Sequence, residues 1–122
     1  MPNPYFRFKQ FTVFHDRCAM KVTTDACLFG AWTAEAISNG EPAADKGRLL
    51  DIGAGTGLLS LMVAQKNQGQ IDAVEIDPGA AEQASENVAA SPWKDAIQII
   101  NENVVQWSPQ TKYDIIFSNP PF

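Results

Sequence analysis

The sequence predicts a doubly wound α/β fold, a parallel sheet flanked by helices, and two observations predict it. From Arg48 onward, short apolar runs alternate with segments of helical period, and the runs lack polar alternation, as expected of strands covered on both faces. The first run also leads into a glycine-rich turn that opens a helix, the place where such folds take up a ligand. With 122 residues, the chain has the length of one domain around one core.

Taken in order, residues 1 to 24 alternate aromatic and polar side chains, as in Phe6-Arg7-Phe8-Lys9-Gln10-Phe11, which is the period of a half-buried strand or hairpin. Asp25 stands where an N-cap belongs, with Leu28, Ala31, Trp32, Glu35 and Ala36 following at helical spacing, so a helix is expected to about Ser38. Residues 39 to 47 are polar, with two glycines and a proline, and form the one linker-like stretch. Leu49-Leu50-Asp51-Ile52 is the first buried strand, and Leu58, Leu61, Met62 and Gln65 carry a helix toward Gly69. Ile71 to Glu75 reads as the second strand. Asp77-Pro78 is an N-cap followed by proline in the first turn, opening a helix that Ser91-Pro92 closes. Ile97 to Ile100 and Tyr113 to Ser118 are the third and fourth strands, and the fold is expected to be truncated after the fourth. The division that follows is 1–38, a strand and helix extension, and 48–122, the first half of the α/β domain.

Composition narrows the function. No apolar run approaches the ~20 residues that cross a bilayer, and Met1-Pro2-Asn3-Pro4-Tyr5 lacks the pattern of a secretory signal, so a soluble, cytoplasmic protein is expected. Cys18 and Cys27 are too few for a disulfide framework and no CxxC pair or histidine cluster accompanies them, so reduced thiols and no metal are expected. A net charge of -5 argues against a surface that binds nucleic acid everywhere. Yet Arg7, Lys9, Arg17 and Lys21 fall within the first twenty-one positions with Asp16 as the single acid, which allows a local basic patch.

The chemistry concentrates at strand ends. Asp51-Ile52-Gly53-Ala54-Gly55-Thr56-Gly57 joins the first strand to its helix, where glycine permits a tight turn and lets a ligand reach the main chain. Glu75 ends the next strand, 22 residues after Gly53, a spacing that suits a carboxylate accepting from both hydroxyls of an adenosine ribose. The loop is D-x-G-x-G-x-G rather than the G-x-G-x-x-G of dinucleotide enzymes. An anionic Asp51 disfavours a pyrophosphate and suits the sulfonium and ammonium groups of S-adenosylmethionine. Asn101-Glu102-Asn103 leaves the third strand where it can meet adenine, with Glu102 the better candidate.

Asn119-Pro120-Pro121-Phe122 ends the fourth strand. The prolines stop the strand and free carbonyls from the ladder. An amino group conjugated to a ring is a weak nucleophile. Accepting its N–H bonds with the Asn119 side-chain oxygen and the Pro120 carbonyl localises its lone pair and aims it at a methyl donor. Phe122 is placed to stack on the ring.

These residues resemble the class I, Rossmann-like methyltransferases, and the tetrapeptide is similar to the N/D-P-P-Y/F/W signature of their amino-methylating branch. Phe8-Lys9-Gln10-Phe11, the run from Asp16 to Asp25, Leu28-Phe29-Gly30-Ala31-Trp32 and Ser91-Pro92-Trp93 further resemble the tRNA1(Val) adenine-37 N6-methyltransferase family, across the whole chain but only the family's first half. The resemblance implies S-adenosyl-L-methionine as donor and an adenine N6 in a tRNA anticodon loop as acceptor. It implies Asn119, Pro120 and Phe122 as acceptor-positioning residues and Gly53, Gly55, Gly57 and Glu75 as cofactor residues. Lys21 to Asp25 would lie over the cofactor mouth, with Thr24 and Asp25 the preferred contacts. Thr23 stands where the family commonly has glycine, and Glu102 where it has aspartate. An enzyme is expected of which this chain alone is inactive and self-associates through its fourth-strand edge. Methylation of a protein glutamine amide, or S-adenosylmethionine binding without catalysis, is the alternative; dehydrogenase chemistry is a distant one.

Overall fold

The computed structural model describes residues 4–40 and 47–120. The N-terminal alternation forms a hairpin, β1 (Tyr5–Arg7) and β2 (Thr12–Phe14), antiparallel with Tyr5 opposite Phe14. Phe11 and Val13 are buried while Phe6 and Phe14 face outward. Phe8 stacks on Phe11 at 4.6 Å and the Trp93 ring meets Phe11 edge-on at 5.5 Å, which seats the hairpin on the turn that follows the third helix.

Helix α1 spans Thr24–Ser38. Its N-cap is Thr23 and not Asp25: the Thr23 hydroxyl accepts from the Ala26 N–H at 3.1 Å, and Asp25 lies inside the first turn. Both residue types suit a helix start, but only Thr23 has the extended backbone that an N-cap requires, and Asp25 then contributes by placing negative charge at the positive end of the helix dipole. Thr23, where glycine is common in the resembling family, therefore has a local structural role.

The remaining elements are β3 (Arg48–Ile52), α2 (Leu58–Lys66), β4 (Gln70–Val74), α3 (Pro78–Ala89), β5 (Ile97–Ile100) and β6 (Ile115–Ser118). The expected boundaries shift in three places. Glu75 lies one residue beyond β4. α2 ends at Lys66, short of Gly69, because the buried Asn67 side chain turns back to donate to the carbonyls of Val63 and Ala34 at 3.0 and 3.3 Å. β6 begins at Ile115 because Tyr113 and Asp114 are otherwise engaged: the Tyr113 hydroxyl donates to Asp72 at 2.6 Å, and the Asp114 carboxylate accepts from the Arg48 N–H at 2.8 Å.

The sheet is wholly parallel in the order β5-β4-β3-β6. Leu49, Ile71 and Ile97 lie side by side across β3, β4 and β5, and pack with Leu58, Leu61 and Val63 of α2 in the core. Burial of each such side chain is worth ~1.5–3 kcal/mol. α1 packs on α2, whose Leu61 and Val63 are fully buried. Because β3, β4 and β5 step in one direction with right-handed crossovers, α2 and α3 share one face. The return from β5 to β6 crosses the other face without a helix. There Tyr113 reaches Asp72, which also pairs with Arg48 at 2.8 Å, while Ile116 stays 59% exposed. Winding thus reverses between β3 and β6, and the C-terminal ends of these strands form the crevice where such sheets bind ligands.

Candidate functional site

The glycine loop sits in that crevice. Gly53, Gly55 and Gly57 have φ of 76°, 56° and 87°, which side chains with a Cβ resist. At Gly53 a Cβ would meet nothing within 4 Å, so the turn presents bare backbone to open space. Gly57 serves the fold instead, its Cβ position lying 3.5 Å from that of Ala84 on α3.

The N–H groups of Gly53, Ala54, Gly55 and Gly57 are all engaged within the protein. The N–H groups of Gly53 and Ala54 bond the Val74 carbonyl at 2.8 and 3.0 Å, Gly57 bonds Ala54, and Leu58 bonds the Thr56 hydroxyl. Gly55 donates to Glu75 Oε1 at 2.7 Å, and Asp77 donates its N–H to Glu75 Oε2 at 2.9 Å. This loop therefore lacks the cluster of free N–H groups that cradles a pyrophosphate, and carboxylates surround it.

Two cavities meet at the loop. The larger, about 530 Å³, is lined by Cys18, Met20, Gly53, Glu75, Ile76 and Asn119, among others. The smaller, about 60 Å³, is lined by Val22, Ala26, Asp51, Thr56, Leu59 and again Asn119. An adjoining groove of about 130 Å³ runs between Ile76, Glu102, Asn103 and Val104.

Asp51 is 1% exposed. Its Oδ2 accepts from the Ser60 hydroxyl at 2.7 Å, while Oδ1 has no partner among the described residues. Its sequence context predicts a fixed negative charge. Burial, with a smaller contribution from Glu75, instead pushes its pKa up to about 7. An orphaned acidic oxygen in a lined cavity fits a cationic group, whose arrival would favour the ionised form. Burial likewise pushes the Cys18 thiol up.

Glu75, 9% exposed, uses one lone pair on each oxygen to hold Gly55 and Asp77, which leaves further acceptor positions toward the large cavity. Glu102 reaches the adjoining groove. Asn101 is occupied elsewhere, its amide donating to the Glu75 and Ile76 carbonyls at 2.8 and 3.1 Å. Thr24 and Asp25 are exposed in the first turn of α1 and line neither cavity at the loop; Met20, Lys21, Val22 and Ala26 supply that wall. Asn119, half-buried, lies on the wall common to both cavities, and Pro120 is exposed beyond it. Phe122 lies outside the described residues.

The basic patch does not form as a unit. Arg17 is paired with Glu82 and Glu86 on α3, and Lys21 donates to the carbonyls of His15 and Cys18, both at 2.8 Å. Sequence reasoning missed Ile76, 63% exposed between the large cavity and the groove, and Cys18 and Met20 as wall residues. An apolar residue directly after the strand-ending acid was the available signal for Ile76. Cys18 and Cys27 are both unbridged, the described residues contain no cluster of three metal-ligating side chains, and none of their helices is long and apolar enough to cross a membrane.

A parallel sheet whose winding reverses at a glycine loop after β3 gives the Rossmann-like methyltransferase fold, and the comparisons with known proteins agree. Residues 34–122 match the methyltransferase small domain, and the chain belongs to that family. It is 54% identical over all 122 residues to the tRNA1(Val) (adenine(37)-N6)-methyltransferase of Phocaeicola vulgatus, covering 49% of that protein. The chain spans about half the length of the curated relatives it matches. Among solved structures, it is similar to the Trypanosoma brucei PRMT1 enzyme-prozyme complex with AdoHcy, at TM-score 0.66 and 29% identity over 76% of this chain and 29% of that one. It also shares its fold with aTrm5 in complex with tRNALeu, at TM-score 0.73 and 17% identity over 92% of this chain and 31% of that one.

Proposed function

We propose that the protein carrying this chain transfers a methyl group from S-adenosyl-L-methionine to the N6 amino group of an adenine in the anticodon loop of tRNA1(Val). The observation that carries this reading is the place of Asn119, on the wall shared by the cavity of Glu75 and the cavity of Asp51. The relatives' activity and the Asn-Pro-Pro-Phe sequence support the choice of acceptor.

The cofactor, when bound, supplies an electrophilic methyl on a sulfonium. Glu75 accepts from the ribose hydroxyls, Ile76 and Glu102 border adenine, and Asp51 offers its free oxygen to positive charge. Gly53, Gly55 and Gly57 shape the turn beneath. The Asn119 side-chain oxygen and the Pro120 carbonyl accept the N–H groups of the acceptor amine, concentrating its lone pair on nitrogen, and Phe122 stacks on the base. Thr24 and Asp25, expected as cofactor contacts, line neither cavity, and the cofactor wall on that side falls to Met20, Lys21, Val22 and Ala26. Residues 1–38 are read as an extension that forms part of the mouth, and 48–122 as the first half of the methyltransferase domain, in a cytoplasmic enzyme.

The test supplies the protein carrying this chain with methyl-labelled cofactor and unmodified tRNA, followed by mass spectrometry of the nucleosides. N6-methyladenosine is the expected product. Unchanged tRNA alongside a methylated glutamine peptide would replace the RNA reading with the protein one, and binding of the cofactor without turnover on either would remove catalysis.

A further inference from the structure

Two walls of the large cavity come from parts of the chain distant in sequence: the glycine loop, and the segment after β2 that contributes Arg17, Cys18, Ala19 and Met20. Both are tied to α3 by buried carboxamides one helical turn apart. Asn87 is 2% exposed; its Oδ1 accepts from the Phe14 N–H at 2.9 Å, and its Nδ2 donates to the Phe14 carbonyl at 2.9 Å and to the Thr56 carbonyl at 2.8 Å. Gln83 is fully buried; its Oε1 accepts from the Arg17 N–H at 3.0 Å and its Nε2 donates to Asp16 Oδ1 at 2.7 Å. Only a neutral amide combines an acceptor with two donors in one planar group, so a carboxylate at either position leaves a partner carbonyl or carboxylate without its donor.

The outer rim repeats the pattern. Glu82 and Glu86, also one turn apart, both hold the Arg17 guanidinium. The segment itself is closed by the Val22 N–H donating to His15 Nδ1 at 2.9 Å and by Lys21 on the His15 and Cys18 carbonyls.

We propose that Asn87 and Gln83 are positioning residues for the cofactor, setting the separation of the glycine loop from the 16–20 wall by holding both to α3. The inference rests on the S-adenosylmethionine reading of the cavity. Neither side chain lines the cavity, so they act through Thr56, Asp16 and Arg17.

The experiment is calorimetric titration of the protein carrying this chain with S-adenosylmethionine, each variant first verified to be folded by circular dichroism and a cooperative melt. Gln83→Glu keeps the acceptor for Arg17 N–H and sets a second oxygen against Asp16, and binding is expected to weaken roughly tenfold, the cost of one part-buried hydrogen bond replaced by two facing oxygens. Adding Asp16→Asn to that variant reverses donor and acceptor, since the new amide donates to the new carboxylate, and affinity should return to within about threefold of the unaltered chain. Asn87→Asp strands both carbonyls and should weaken binding by more than the Gln83 variant. Exposed Ser85→Ala on the same helix should change nothing. Folded Gln83→Glu chain that binds as tightly as the unaltered one, or a loss that Asp16→Asn fails to restore, would overturn the inference and leave the cofactor reading standing. If the unaltered protein carrying this chain does not bind S-adenosylmethionine, the cofactor reading itself falls, and this inference with it.

Discussion

Replacing Asp51 by asparagine should make the protein more stable at alkaline pH than at acid pH, relative to the unaltered chain. The carboxyl is buried, with one oxygen on Ser60 and the other unpartnered, and its pKa rises from the ordinary 3.8 to about 7. The unfolded chain then gives up this proton near pH 4, whereas the folded chain keeps it until about 7. Stability from this group is fully present below pH 4 and is lost as pH rises to 7, after which both states are ionised and the loss levels off. At about 1.4 kcal/mol per pKa unit, the full loss is on the order of 4 kcal/mol, and the part falling between pH 5 and pH 8 is about 2–3 kcal/mol. Asparagine keeps an acceptor for Ser60 and has no charge to suppress. Urea unfolding of both proteins at pH 5 and pH 8 reads the effect directly, as a stability gap that widens in favour of Asp51→Asn by that amount. Parallel pH profiles, within about 0.5 kcal/mol, would refute the reasoning and mean that the carboxyl ionises normally.

Three further outcomes test other parts of the site and fold. Asn119→Ala, in the protein carrying this chain, should reduce methyl transfer about a hundredfold while changing cofactor affinity less than threefold; equal losses in turnover assays and calorimetry would assign Asn119 to the cofactor site. Glu75→Gln, which removes the charge and one of the acceptors now holding Gly55 and Asp77, should weaken S-adenosylmethionine binding by roughly tenfold or more, and unchanged calorimetric affinity would remove Glu75 from the ribose contact. Leu61→Ala, at a fully buried position on α2, should cost about 2–5 kcal/mol in urea unfolding; a loss under about 1 kcal/mol would mean that the helix is loosely packed.

The turn chemistry and the strand-to-helix rhythm were legible in the sequence because they depend on neighbours in the chain. Three glycines at alternate positions had to meet left-handed backbone, and Asp77-Pro78 had to start a helix. The strands were recognisable as buried, and their order of succession implied a ligand crevice at their C-terminal ends. Where two local signals competed, sequence alone chose wrongly. Thr23 and Asp25 are both good N-caps, and the backbone course out of the 15–22 segment decided for Thr23.

What only the tertiary structure decided involves groups brought together from far apart. Asp51 reads as an anion in any local window; its burial in the wall of the smaller cavity, with Glu75 nearby, raises its proton affinity against the opposing hydrogen bond from Ser60. Arg17 and Lys21 read as free charges, and folding spent them on α3 carboxylates and on loop carbonyls. Gln83 and Asn87 look like ordinary polar helix positions until the hairpin docks and their amides turn inward to meet residues more than sixty positions away. The amino-acid order determined which backbone turns and which strands were available. The energy of burying a polar group without a partner, which only the assembled fold can evaluate, determined what the charges and amides within them do.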